Sequence, residues 1–298
     1  MRLKMKKIYQ LVKIIIIVTS INLNAQGVYQ ILNIPYSARS IALCGTGVAD
    51  SYQTVSFNPA SLNTNNVVVG FHIIKLPMDI SFTRIESIFP KNNNNIFFEI
   101  KNVDYGDLID GYNYRKFSAI ETSLKLGIKK PLFNTISTSI SFEYIYSSIS
   151  QFVSQAIVST LGMRAETIDG YNGFALSIEN FGIMFDYYDN FKEKINIKYR
   201  FSGYQKLRYA PTTIYFNLIN DQYNKYTSSI SIESKYKSLI NFRFGLGRID
   251  LYKKKIFDQY DYSFGIGLNY KNYIIDFGFK NIDIIGILSG ISINYKMP

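Results

Sequence analysis

Apolar and polar residues alternate one for one through "YDYSFGIGLNYK" (260–271), and the same period of two recurs along most of the chain. Tyr260, Tyr262, Phe264, Ile266, Leu268 and Tyr270 fall on one side; Asp261, Ser263, Gly265, Gly267, Asn269 and Lys271 fall on the other. "IETSLKLGIK" (120–129) sets Ile120, Thr122, Leu124, Leu126 and Ile128 against Glu121, Ser123, Lys125, Gly127 and Lys129. "ISTSISFEYIY" (136–146) sets Ile136, Ile140, Phe142, Tyr144 and Tyr146 against Ser137, Ser139, Ser141 and Glu143. A helix would scatter this pattern around its circumference, whereas a strand sends successive side chains to opposite faces. The chain is therefore built from strands with one greasy and one polar face.

Two all-β architectures bury such faces. In a sandwich the apolar faces meet in a dry interior. In an outer-membrane barrel they face hydrocarbon, and the polar faces line a lumen. The runs decide for the barrel. Those at 116–128 and 260–270 match the roughly 9–11 residues a tilted strand needs to cross a bilayer, against a mode of about 5–6 in globular sheets. Aromatics gather near run ends, at Tyr144 and Tyr146, at Tyr270 and at Tyr273, as interfacial girdles do. The polar side mixes charge with glycine, as in Arg243, Gly245 and Gly247 of "NFRFGLG", a combination a lumen wall tolerates. Aromatics make up 16% of the 298 residues, with 25 Tyr, 22 Phe and no Trp, which also favours pleated surfaces.

Fourteen strands are predicted, at 66–76, 78–89, 95–103, 116–128, 135–147, 152–163, 170–180, 193–204, 211–219, 224–234, 238–249, 260–270, 272–281 and 285–295; without 152–163 and 193–204 the count falls to twelve. Both counts are even, as bacterial single-chain barrels require. "KKPLFN" and "YKS" make short turns, while "DYGDLIDGYNYRK" and "DLYKKKIFDQ" make longer connections that belong outside the cell if both termini lie in the periplasm. The final run, "GISINYKMP", is apolar and aromatic almost to its end.

Two segments depart from the alternation. "MRLKMKK" followed by the short apolar run Ile14–Ile21 and polar "NLNA" describes a secretory leader, with cleavage expected before Gln26. Its apolar run is far short of the roughly 20 residues of a membrane-spanning helix. Residues 1–25 carry five of the 33 Lys+Arg and no acid, so their removal leaves 28 cations against 22 acids, a formal +6 instead of +11. That mild, dispersed excess and the export signal exclude nucleic acid as a partner. The second segment, 26–64, is rich in small residues and nearly free of charge. A lumen of fourteen strands is too wide for wall side chains to fill, so this segment is expected to act as a plug, the alternative being a solvated periplasmic extension. Ser37 offers a polar helix start, Gly45 and Gly47 end any helix, and Asn58-Pro59 reads as an N-cap with proline at the first helical position. The remaining barrel covers 65–298.

"ILNIPYSARSIALCGTGVADSYQTVSFNPASL" resembles the amino-terminal signature of the PorV/PorQ proteins, FadL-like outer-membrane barrels of the type IX secretion system. Pro35, Ser37, Ala38, Arg39, Ala42, Leu43, Gly45, Asn58, Pro59 and Ala60 occupy its places. "VDYGDLIDGY", "KFSAIETSLKLGIKKPL", "EYIYSSI" and "FALSIENFG" continue the likeness in order, closer to PorQ. Cys44 stands where the first glycine of the turn is usual, and "YQT" where acids usually precede Asn-Pro-Ala. The resemblance implies a non-enzymatic role in the outer membrane, helping cargo export or anchoring a surface attachment complex. Its partners would be secretion proteins or the terminal domains of exported cargo. A FadL-like transporter of hydrophobic small molecules is the alternative.

Under either reading the longer connections are the candidate partner-binding loops, with Asp104, Tyr105, Asp107 and Tyr112 in one and Lys253, Lys254 and Lys255 in the other. No cofactor, metal or catalytic residue is expected. His72 is the only histidine and has the parity of the lumen side in "VVVGFHIIK", so it reads as a wall residue and not as a general base. Cys44 is the only cysteine and reads as a buried thiol; Leu43 is too large to precede a lipoprotein cleavage.

Overall fold

The computed structural model describes residues 29–51, 55, 57–109, 115–188, 194–221, 226–250, 261–282 and 286–298. The leader expected at 1–25 lies outside these residues.

Among the described residues, fourteen antiparallel strands close into a single barrel. In chain order they are β1 (Val68–Lys75), β2 (Ser81–Lys91), β3 (Asn94–Ile109), β4 (Lys116–Phe133), β5 (Ile136–Ile149), β6 (Phe152–Glu166) and β7 (Asn172–Asp186). They continue with β8 (Lys198–Lys206), β9 (Thr212–Asp221), β10 (Tyr226–Tyr236), β11 (Ile240–Asp250), β12 (Asp261–Tyr270), β13 (Tyr273–Ile282) and β14 (Gly286–Lys296). Each pairs with its sequence neighbours, and β1 closes on β14 with His72 opposite Ser292. Closure leaves no open sheet edge, which is what lets a sheet sit in hydrocarbon.

All fourteen predicted strands are present, including the two on which the count turned. Several run further than predicted, and β8 begins only at Lys198 instead of 193; β4 continues to Phe133, taking in most of the "KKPLFN" that the sequence suggested was a short turn. β3 continues through Asp104–Ile109, which the sequence suggested was loop, after a register shift between Asp104 and Asp107. β7 passes Asn180, which has a positive φ of 63°, and reaches Asp186.

The faces divide as the alternation required. Phe142, Leu126, Phe244, Phe264, Ile266 and Ile291 point outward and are exposed, while Glu143, Lys125, Arg243, Ser263 and Ser292 point inward and are buried. An apolar belt this continuous is untenable in water and natural in lipid. The start of β1, the end of β14 and the tight turns at Asn92-Asn93 and Lys271-Asn272 lie at one end of the barrel. The tilted pair Tyr273 and Tyr295, with ring centroids 4.9 Å apart, sits there too. Short turns predominate at this end, which marks it as periplasmic, so the 76–80 connection lies at the outer end.

Candidate functional site

The lumen is filled by the amino-terminal segment, which meets two chemically different halves of the wall. Toward the outer mouth one side of the wall presents an apolar set, Ile74, Phe82, Val103, Ile145, Val158 and Leu288, joined by Met184 and Ile195, while the outer ends of β12 and β13 carry the ion pair Asp261–Lys280 at 2.8 Å. Against the apolar set lies a strap, residues 29–34, with a 3-10 turn at Gln30–Leu32. Tyr29, Ile31, Leu32 and Ile34 are buried in this chamber, while Gln30 and Asn33 face out through the mouth. The strap has few polar ties. The Ile31 and Gln30 amides donate to the Glu121 carboxylate at 2.7 and 3.3 Å, and the Tyr105 hydroxyl donates to the same carboxylate at 2.9 Å. The Tyr29 hydroxyl lies 2.7 Å from Ser154 Oγ, and burial pushes its phenol up, keeping it protonated. Glu121 thus forms the polar floor of a mostly greasy chamber.

Toward the periplasm the wall turns ionic. Arg84 donates to Glu86 at 2.6 Å and to Glu99 at 2.9 Å, and Glu86 also meets His72 Nε2 at 3.0 Å; all four side chains are 0% exposed. Lys101 approaches Glu143 at 2.5 Å, Arg200 meets Glu179 at 2.7 Å, and Arg243 bridges Glu233 and Asp276, each at 2.6 Å. Wall charge is therefore neutralised largely by other wall residues, as burial demands.

The plug body, residues 35–62, is fastened to this half all round. Arg84 donates to the Tyr36 and Val55 carbonyls at 2.9 and 3.2 Å, and Arg164 donates to Ala49 O at 2.7 Å. Arg39 reaches Glu233 at 2.8 Å, and Lys125 donates to the Tyr36 hydroxyl at 2.9 Å. A one-and-a-half-turn helix, α1 (Ala38–Ala42), starts where Ser37 caps the Ser40 amide and lies against β12 and β13. Small residues on both surfaces make that possible. A Cβ on Gly278 would stand 2.1 Å from Ala38 O, and one on Gly265 would stand 2.5 Å from Ala42 Cβ. The helix stops at Ala42 because Cys44, Gly45 and Gly47 all take positive φ.

The structure gathers the ten signature residues into this one body. Pro35 leads out of the strap, and Ala38 N donates to Ser292 Oγ at 2.8 Å. Leu43 packs with Ala49, Ala175, Tyr204 and Tyr215. Asn58 accepts from Ala60 N at 3.0 Å and donates to the Met163 and Leu176 carbonyls, with Pro59 opening a 3-10 turn. Cys44 is buried with its thiol 3.1 Å from Ser263 Oγ, and burial raises its pKa. His72 faces the lumen, as its parity indicated.

The loop residues are not brought together. Asp104, Tyr105 and Asp107 lie on β3 and not in a loop: Tyr105 points inward to Glu121, Asp104 accepts from Gly106 N at 2.9 Å, and Asp107 pairs with Lys116 at the exposed rim. A bulge restores pairing beyond Asp104, which is why these residues join the strand. Tyr112, Lys253, Lys254 and Lys255 lie outside the described residues. Sequence reasoning missed Glu121, Tyr29 and the Arg84 cluster. Their one signal was charge or phenol recurring at lumen parity on consecutive strands.

Among the described residues the β7–β8 ladder runs from Asn172–Gln205 to Glu179–Lys198, and β7 continues to Asp186 paired with β6. Met184, in this continuation, and Ile195 both belong to the apolar chamber, and the Asn180 amide donates to Asn196 O at 3.3 Å.

No protein-family model and no curated protein matches the chain, so the PorV/PorQ resemblance stands on its residues alone. Solved structures do match. The monoaromatic hydrocarbon channel CymD superposes with a TM-score of 0.68 at 10% identity, covering 91% of this chain and 99% of the other. The toluene transporter TodX of P. putida gives 0.62 at 10% identity, covering 88% and 99%. At such identity the likeness shows the fold: the chain is a fourteen-stranded outer-membrane β-barrel, located in that membrane.

Proposed function

We propose that the chain is a non-enzymatic outer-membrane channel admitting small hydrophobic molecules from outside. The observation that carries this is the division of the lumen. An apolar chamber opens outward and is closed by a lightly tied strap, while the charged half behind it is blocked by a plug body bonded to the wall on every side. The chamber offers a sugar or ion few partners, whereas an apolar guest of similar area could replace Ile31 and Leu32, each worth about 1.5–3 kcal/mol when fully buried. The fold shared with a toluene transporter and a hydrocarbon channel supports the same reading. The test is uptake of radiolabelled toluene by Gram-negative cells that lack their own hydrocarbon channels. The chain is expected to raise uptake above vector controls, and equal uptake would sink the proposal.

A second reading rests on the signature itself. Its ten residues build the plug body, the part most firmly fixed, and a sealed barrel suits a type IX secretion component that works by presenting loops to cargo domains. A pull-down from detergent-solubilised outer membranes separates the two. Recovery of secretion subunits or cargo terminal domains, with no effect on toluene uptake, favours the second. The leader at 1–25, the plug at 26–64 and the barrel from 65 onward belong to both proposals.

A further inference from the structure

Resting on the channel reading, we infer that the outer chamber selects hydrophobic molecules carrying one hydrogen-bond donor, such as phenols, over plain hydrocarbons and over carboxylic acids. The chamber lining is mostly apolar; its polar groups are the hydroxyls of Tyr105, Ser147 and Ser154 and one carboxylate, Glu121, which is buried and faces inward. Three donors converge on its carboxylate: the Ile31 and Gln30 amides of the strap and the Tyr105 hydroxyl of the wall. No salt bridge to Glu121 occurs among the described residues; the next inward cation, Lys101, is engaged by Glu143 at 2.5 Å.

Two of those three donors leave when the strap leaves, and the third stays with the wall. A guest that takes the place of Tyr29–Ile34 therefore inherits a carboxylate short of partners in a dry site. A hydrocarbon fills the volume and leaves that carboxylate unsatisfied, which costs the desolvation of a charged acceptor. A carboxylic acid entering as its anion meets like charge at close range. A phenol points its O–H at Glu121 and lays its ring against Val103 and Ile145, which are buried on the strands flanking β4. Ser154, 2.7 Å from the Tyr29 hydroxyl in the closed state, shows that the chamber already accommodates one phenol. Selection follows from the general rule that a site built to satisfy a polar group rejects the analogue lacking it more strongly than it rejects a change of size.

The experiment is equilibrium dialysis of radiolabelled p-cresol, toluene and benzoate against the full-length, detergent-solubilised barrel, repeated with Glu121→Gln and Tyr105→Phe. Folding of each variant is checked by heat-modifiable gel mobility. A charge-assisted hydrogen bond predicts p-cresol binding at least about tenfold tighter than toluene, with benzoate weakest. Glu121→Gln should shrink the p-cresol to toluene ratio and bring benzoate closer to toluene. The ratio is the readout because loosening the strap alone would move all three affinities together. Tyr105→Phe leaves the carboxylate with one donor fewer and should widen the ratio. Should Glu121→Gln fail to fold, this variant carries the test. Toluene bound as tightly as p-cresol, or a ratio the variants leave unchanged, overturns the selectivity while the channel reading stands. Binding of none of the three sinks both.

Discussion

The strap at 29–34 and the plug body at 35–62 are consecutive pieces of one segment in one lumen, yet opposite physics holds them. The strap is retained by apolar packing, by two backbone amides on a single carboxylate, and by the side-chain contacts Tyr29–Ser154 and Lys198–Asn33. The body is retained by hydrogen bonds to wall residues on many strands, from Arg84 on β2 to Ser292 on β14, and by a helix seated on glycine. Apolar packing is non-directional and transfers readily to another greasy occupant. A buried, hydrogen-bonded ion cluster does not, because breaking it strands charge in a dry interior. The difference teaches where this barrel can open: at its outer half, without disturbing the inner one.

The sharpest way to break the comparison is Arg84→Met. It leaves Glu86 and Glu99 without their cation and removes the donor to the Tyr36 and Val55 carbonyls. Loss of one partner from a buried pair costs about 3–5 kcal/mol. The expected outcome is a large fall in the urea midpoint followed by gel mobility. A midpoint equal to wild type would mean that the ionic half is not what secures the plug body.

The glycine seat gives a smaller effect with a built-in reporter. Cys44 is buried beside Ser263, and burial raises its thiol pKa, so the reactive thiolate is suppressed until the plug body moves. Gly278→Ala would drive a methyl into Ala38 O, and overpacking of this kind costs about 1–3 kcal/mol. Maleimide labelling of Cys44 should then quicken by roughly 5- to 150-fold, the same free energy expressed as an opening equilibrium. Unchanged labelling would show that α1 can shift without cost, making the body as loose as the strap.

On the strap side, Tyr29→Phe removes only the contact with Ser154. A neutral hydrogen bond contributes about 1 kcal/mol, so exchange of the Ile31 amide should rise about fivefold with no change in the urea midpoint or in Cys44 labelling. A matching rise in Cys44 labelling would mean that strap and body move as one unit.

The barrel is legible in the sequence, whereas the division of its lumen is not, for physical reasons. One-sided strands were legible because lipid enforces the alternation, and Ser37 and Asn58-Pro59 were legible as caps because capping is local. Asp104–Ile109 escaped because the register shift between Asp104 and Asp107, with Gly106 at φ 71°, breaks the period of two. The far end of β7 escaped for the same reason at Asn180. Charge pairing was hidden more deeply. Alternation tells which residues face the lumen, but not which meet. Directly opposite positions on β2 and β3 are like-charged, Arg84 with Lys101 and Glu86 with Glu99, and the ion pair that forms is the diagonal one, Arg84 with Glu99. Glu121 shared the parity of its neighbours and nothing else, since two of its three partners are backbone amides about ninety residues away in sequence and the third is a hydroxyl at the β3 bulge.

The smallest expected effect isolates burial from pairing. Arg208 and Asp169 form an arginine–carboxylate pair at 3.6 Å at the periplasmic end, with side chains 68% and 44% exposed, whereas Arg84 and Glu99 are fully enclosed. In water the Coulomb gain is screened and the removed partner is replaced by solvent, so nothing is left stranded. Asp169 also accepts from the Thr167 hydroxyl and the Tyr171 amide, and these bonds persist without the arginine. Arg208→Ala should therefore leave the urea midpoint indistinguishable from wild type, in low salt as in high. If it lowers the midpoint as far as Arg84→Met does, the mid-lumen cluster owes its strength to arginine–carboxylate geometry and not to its dry surroundings, and the contrast between the two halves of the lumen loses its physical basis.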